Sequence, residues 1–187
     1  MLIDLLKKSR SYRRFDAARK IDDTTLRSFI EGARYTPSGA NLQKLRFVCI
    51  TDDARCESMF STLKFAGYLK EWNGPEAHER PVAYIVICSD GELSTLTAID
   101  LGISAEAIVL SAMEQGVGAC MFRSYSSDTV SALIKTENMV PHLVIAFGYP
   151  TETVQVVDMV DGDVKYYRDA EDNHIVPKRT LDELIID

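Results

Sequence analysis

The segment Leu93 to Gln115 constrains the fold most, because it is a long helical stretch that is apolar on nearly every side. A helix of that kind is buried over most of its circumference. The run just before it, Val82 to Ser89 (VAYIVICS), is continuously apolar, as in a strand covered on both faces. The longest clean apolar run, Val82 to Cys88, falls far short of the ~20 residues that span a bilayer. Strand and helix together therefore read as the centre of a layered domain. One stripe of the helix is small or polar: Asp100, Ser104, Ala107, Ser111 and Gln115. Such a stripe lets a second helix approach closely, from the same chain or from another subunit. Gly116 and Gly118 stop the helix.

Apolar periodicity orders the remaining elements. Leu2, Ile3, Leu5 and Leu6 suggest a short helix ending near Ser9. Asp22 or Asp23 caps a second helix with the apolar face Leu26, Phe29, Ile30 and Ala33. Pro37, Gly39 and Asn41 break the chain into a loop, and Leu45 to Thr51 reads as a strand, followed by a helix around Arg55 to Leu63. From Phe65 to Arg80 the pattern dissolves into a surface loop or lid holding Trp72, a length at which loops are often functional. A strand at Ala119 to Arg123, a helix capped by Ser126 or Ser127 and a strand at Leu143 to Phe147 follow. After Pro150 the chain turns polar, and residues 151–187 read as an ordered arm packed on something else. Thr180 and Glu183 form a capping box before its final helix. Alternating buried strands and helices imply a layered α/β or α+β fold. At 187 residues, against a prior of about 150 per domain, one domain over 1–187 is expected.

Charge and cysteine usage narrow the function classes. Lys7 to Lys20 holds seven of the 21 basic residues against one acid, Asp16, in a chain of net charge −7. The remainder is strongly acidic, which argues against a broad nucleic-acid surface. A local basic cluster can hold one compact anion, although composition alone favours a solvated helix face followed by a charged loop. Cys49, Cys56, Cys88 and Cys120 show no paired short spacing, so no redox CxxC or zinc site is suggested and no metal is expected. Met1 to Leu6 is too short for a secretory signal, and its lysines follow it. The expected location is the cytoplasm, with no membrane partner.

Familiar catalytic constellations fail. Gly116 and Gly118 follow a helix and precede a strand, the reverse of a dinucleotide-binding turn, and no P-loop, HExxH or GxSxG is present. His78, His142 and His174 lie far apart and read as surface or packing residues. Three separated polar clusters remain: Ser9 to Phe15 (SRSYRRF), Pro37 to Gln43 (PSGANLQ) and Val176 to Leu181 (VPKRTL). Arginine forks suit phosphate oxygens, while Ser, Asn and Gln suit the edge of a planar heterocycle. A phosphorylated planar cofactor fits all three if the fold brings them together.

The order SRSYRRF, PSGANLQ, a buried helix ending in GVGACMF, LVIAFGYP and VPKRTLDELI resembles the FMN-dependent nitroreductase family over essentially the whole chain. The resemblance implies an α+β fold, a three-layer α/β/α sandwich whose C-terminal arm is exchanged in a homodimer, with FMN at the subunit interface. It implies an oxidoreductase passing hydride from NADH or NADPH through flavin N5 to a small acceptor such as a nitroaromatic or quinone. The alternative is an FMN storage or sensing module without turnover. Carried over residue by residue, Arg10, Ser11 and Arg13 match flavin and phosphate contacts, and Arg13 is the candidate catalytic cation. Ser38, Asn41 and Gln43 match a loop that reaches the flavin, often from the partner subunit. Phe122 and Arg123 fall where the strand backbone faces the ring, and Lys178 and Arg179 match a basic pair near the phosphate. Tyr68, Trp72 and His78 are candidate lid residues. Three positions depart from the family pattern. Ser9-Arg10 replaces a basic doublet, Lys44-Leu45 follows Gln43 where proline and an aromatic are frequent, and Arg123 adds bulk beside the ring.

Overall fold

The computed structural model describes residues 1–136 and 138–186, and its longer helices start where the sequence offers a cap. After α1 (Leu2–Lys8), helix α2 (Asp23–Arg34) is capped by Asp22, whose carboxylate accepts from Thr25 N at 2.7 Å. Strand β1 (Arg46–Ile50) leads into α3 (Asp53–Phe60), capped by Asp52. Strand β2 (Ala83–Ser89) precedes α4 (Thr95–Glu114), capped by Ser94. Gly116, at φ +75°, ends that helix in the left-handed conformation that glycine adopts without strain. Strand β3 (Gly118–Phe122), α5 (Ser127–Ile134) and β4 (Val140–Gly148) complete the central body.

The four strands form an antiparallel sheet in the order β1-β2-β4-β3. Successive strand side chains alternate between its faces, and both faces are covered. Ile85, Ile87, Leu143, Ile145 and Phe147 pack with Leu26, Phe29, Leu101 and Ile108 of α2 and α4. Tyr84, Val86, Cys88, Val144 and Ala146 pack with Cys56, Met59, Val130 and Ile134 of α3 and α5. This is the three-layer arrangement expected from the sequence, with the sheet as the middle layer and α4 in an outer one. That helix is buried on its sheet and α2 sides, not on nearly every side as its composition suggested. By length and composition α4 could cross a bilayer, and 44% of its most apolar window is buried within the domain.

The small-residue stripe of α4 serves α2 of the same chain. Gly32 faces Ser111, Thr36 Oγ1 lies 3.4 Å from Ser104 Oγ, and Gln115 Nε2 donates to Ser28 Oγ at 3.0 Å. The apolar side chains that α4 leaves exposed are Leu96, Ile99 and Ile103, on a different face. The segment after Pro150 is more structured than an extended arm. Strands β5 (Val154–Asp158), β6 (Tyr167–Arg168) and β7 (His174–Lys178) form a second sheet in the order β5-β7-β6, with β5 and β7 parallel. Helix α6 (Leu181–Leu184) closes the chain with the expected capping box between Thr180 and Glu183.

Candidate functional site

The N-terminal basic cluster is a strap laid along the open edge of β3. Ser11 bridges Ala119, and Tyr12 N donates to Ala119 O at 3.0 Å. The strap is possible because Gly118 and Gly148 have no side chains. A Cβ on Gly148 would sit 2.6 Å from Phe15 Cβ, and one on Gly118 would meet Tyr12 and Pro150. Glu152 holds the strap from below. Its side chain is 2% exposed, and it accepts from the backbone N–H groups of Arg13 and Arg14 and from Arg168 Nη2 at 2.6 Å. One buried carboxylate thus ties the strap, the segment after β4 and β6 together.

Strap and second sheet enclose a cleft of about 350 Å³. Arg10, Ser11 and Arg13 line it from one side and Lys178 from the other, with Ala119, Val109 and Met121 as its apolar wall. The first and third sequence clusters therefore meet, although they stand at opposite ends of the chain. The cations are not neutralised. Among the described residues, the side chains of Arg10, Arg13 and Lys178 pair with no carboxylate. Arg10 Nη2 donates to Leu6 O at 2.9 Å, and its buried Nε has no partner. Glu106 is the one carboxylate on the lining. Arg14 differs, because it is bound by Asp172 and Glu79 and faces Trp72.

His174 escapes detection in the sequence, since an isolated histidine carries no spacing signal. It is 1% exposed, lines the cleft and sets Nε2 3.1 Å from Arg13 Nη1. Burial, reinforced by the Arg13 charge, pushes its pKa down to about 4, so the ring is neutral at ordinary pH.

The second cluster lies elsewhere. Ser38, Asn41 and Gln43 line a separate cleft of about 360 Å³ with Asp100 and Ser104. Asp100, buried in α4, shapes that loop: it accepts from Ser38 Oγ at 2.7 Å and from Gly39 N at 2.9 Å. Ala40, Asn41 and Gln43 all have positive φ, the kind of backbone strain concentrated at functional loops. The sequence marked Asp100 only as part of a helix-contact stripe.

The side chains of the other expected site residues do not line the strap cleft. Phe122 points into the core beside Phe65, with ring centroids 4.9 Å apart. Arg123 turns back to donate to His142 O at 2.8 Å and does not line the strap cleft. Arg179 lies outside the cleft, 4.0 Å from Glu183. Of the lid candidates, Tyr68 stacks on Tyr166, Trp72 lies beside Arg14 and Arg168, and His78 is exposed.

A strap along β3 closed by the chain's last strand, and a strained loop on a separate cleft beside α4, are carried by one three-layer body. The family model for the nitroreductase family matches residues 6–149. The chain belongs to the nitroreductase family. A relative from Methanothermobacter thermautotrophicus, named "Putative NADH dehydrogenase/NAD(P)H nitroreductase", is 24% identical over 170 residues, covering 87% of this chain and 84% of the relative. A nitroreductase family protein from Streptococcus pneumoniae superposes with a TM-score of 0.69 at 17% identity, covering 100% of both chains. The FMN-dependent nitroreductase NfnB from Mycobacterium smegmatis, solved with NADPH, gives 0.64 at 19% identity, covering 80% of this chain and 87% of that one. This nitroreductase-family chain shares their fold, including the three-layer body that carries both clefts.

Proposed function

We propose that this chain is an FMN-dependent oxidoreductase that moves hydride from NADH or NADPH to a small acceptor such as a nitroaromatic or a quinone. One observation carries the reading: three cations that form no ion pair among the described residues, Arg10, Arg13 and Lys178, converge on one cleft from distant parts of the sequence. The donor set fits FMN. Guanidinium and ammonium groups suit the phosphate, the Ser11 hydroxyl suits the polar chain, and Val109, Ala119 and Met121 offer an apolar wall to a planar ring. The unpartnered Arg10 Nε adds a donor in search of an acceptor. When bound, FMN supplies the two-electron chemistry between nicotinamide and acceptor. The protein's part is to bind, orient and stabilise charge. Arg13 presents a fixed cation on the cleft, which favours a bound group as it gains negative charge.

The Ser38, Asn41 and Gln43 loop completes the site from a second subunit in this reading. Leu96, Ile99 and Ile103 give α4 an exposed apolar face suited to a homodimer contact. Four unpaired cysteines suit a reducing compartment, the cytoplasm. A storage module closed off by Arg123 is disfavoured, because that side chain is tied to His142 O.

The visible spectrum tests the proposal. Purified protein is incubated with FMN, freed of excess, and scanned before and after anaerobic NADH or NADPH. The expected result is a retained two-band flavin spectrum that bleaches. Retained flavin that fails to bleach points to the storage module, and no retained flavin overturns the proposal.

A further inference from the structure

We propose that His174 is a positioning residue for Arg13: its neutral imidazole accepts a hydrogen bond from the guanidinium and fixes that cation on the cleft without neutralising it. The inference rests on the flavin reading above and assigns a device within it. Three arginines crowd this corner, and their partners differ in kind. Arg14 is held by Asp172 and Glu79, and Arg168 by Glu152 and Asp172, all carboxylates. Among the described residues, the side chain of Arg13 has only neutral partners: Ser11 O at 3.1 Å, His174 Nε2 at 3.1 Å and the face of Tyr166 at 4.9 Å.

A carboxylate in the place of His174 would hold Arg13 equally well but would cancel the charge that an anionic ligand needs. A protonated histidine would repel it and could no longer accept its N–H. Of the histidine's two protonation states only the neutral ring does both jobs, and the surroundings keep it neutral. His174 is buried against Tyr166, with ring centroids 5.1 Å apart, and the charged groups acting on it are Arg13 of the strap, Glu152 after β4 and Arg168 of β6. Because Nε2 faces a donor, the ring proton belongs on Nδ1, the atom left buried without a partner. That unsatisfied donor is a cost tolerated at a residue lining the cleft.

The test is a double-variant cycle on FMN affinity, read from flavin fluorescence quenching near neutral pH. The proteins are wild type, His174→Ala, His174→Gln, Arg13→Ala and the His174→Ala/Arg13→Ala pair. Losing one hydrogen bond to a cation should weaken binding at least about ten-fold in His174→Ala. Gln, which offers an acceptor oxygen, should recover most of that loss. In the Arg13→Ala background, His174→Ala should cost nothing further. An equal loss in both backgrounds, no loss at all, or no recovery by Gln would overturn the assignment. Wild type that binds no FMN instead overturns the flavin reading. If His174→Ala does not fold, ring proton titration by NMR carries the test. The His174 signal, identified by its disappearance in His174→Gln, should titrate at higher pH in Arg13→Ala than in wild type. An unshifted titration refutes the contact.

Discussion

Replacing Glu152 should unfasten the strap from the second sheet and destabilise the fold. The carboxylate is 2% exposed and serves the amides of Arg13 and Arg14 and the guanidinium of Arg168, itself only 13% exposed. In Glu152→Ala a nearly buried cation loses the nearer of its two carboxylates, keeping Asp172 at 3.4 Å, and two strap amides lose their acceptor, together a loss of about 3–5 kcal/mol. For a chain of this size each kcal/mol moves the melting temperature by about 2–4 °C, so a fall of roughly 6–20 °C is expected. Glu152→Gln keeps the volume and one acceptor oxygen but turns an NH₂ toward donors. It should fall between, at roughly the 1.5–3 kcal/mol of a charge-assisted bond. The assay is urea unfolding by far-UV circular dichroism at matched protein concentration, with the slope compared to confirm an unchanged native state. A loss below about 1 kcal/mol for Ala, the range of an exposed pair, would refute the account of Glu152 as the fastening. So would equal losses for Ala and Gln.

Other expectations follow from single contacts. Gly148→Ala drives a methyl into Phe15 and should cost about 1–3 kcal/mol by overpacking, seen as an earlier urea midpoint. Burial raises the pKa of Cys56 to about 12 and of Cys49, Cys88 and Cys120 to about 11, so native protein should resist iodoacetamide by mass spectrometry and react fully once unfolded. The His174 pKa falls from 6.5 to about 4 on folding, and the unfolded chain takes up that proton first as pH drops. The corresponding stability is therefore present above 6.5 and lost progressively toward 4. His174→Gln should show a shallower acid decline in melting temperature. Ile103→Glu on the exposed face of α4 should give a monomer by light scattering, and an unchanged dimer would move the proposed interface elsewhere.

The layers were legible because their cause is local. Uninterrupted apolar residues from Val82 to Cys88 indicate a strand covered on both sides, and Asp22 before Leu26, Phe29 and Ala33 announces a capped amphipathic helix. Arg10, Ser11, Arg13 and Lys178 were legible as chemistry, while their meeting depends on a sheet that the sequence suggested only as an arm. Strands β5 and β7 are short, partly exposed and paired in parallel across a long excursion, so little hydrophobic pattern betrays them. The α4 stripe showed that something approaches closely but not what. Gly32 opposite Ser111 and Ser38 on Asp100 depend on a register between elements that no local pattern encodes. Glu152 and His174 were invisible for a related reason. Their importance comes from groups far away in sequence, and neither residue sits in a spacing that implies chemistry.

Helix α4 touches both clefts: Asp100 and Ser104 on one, Glu106 and Val109 on the other. From Asp100 to Glu106 is about 9 Å of helix, yet the clefts remain separate within one chain. In the proposed dimer, each site draws its cationic strap from one subunit and its Ser38 loop from the other. A subunit crippled at Arg13 and a subunit crippled at Ser38 should therefore rescue each other. In the mixed dimer both lesions collect in one site and leave the second intact. Two alleles that are each inactive alone would yield activity when coexpressed, whereas two lesions within the same strap would not.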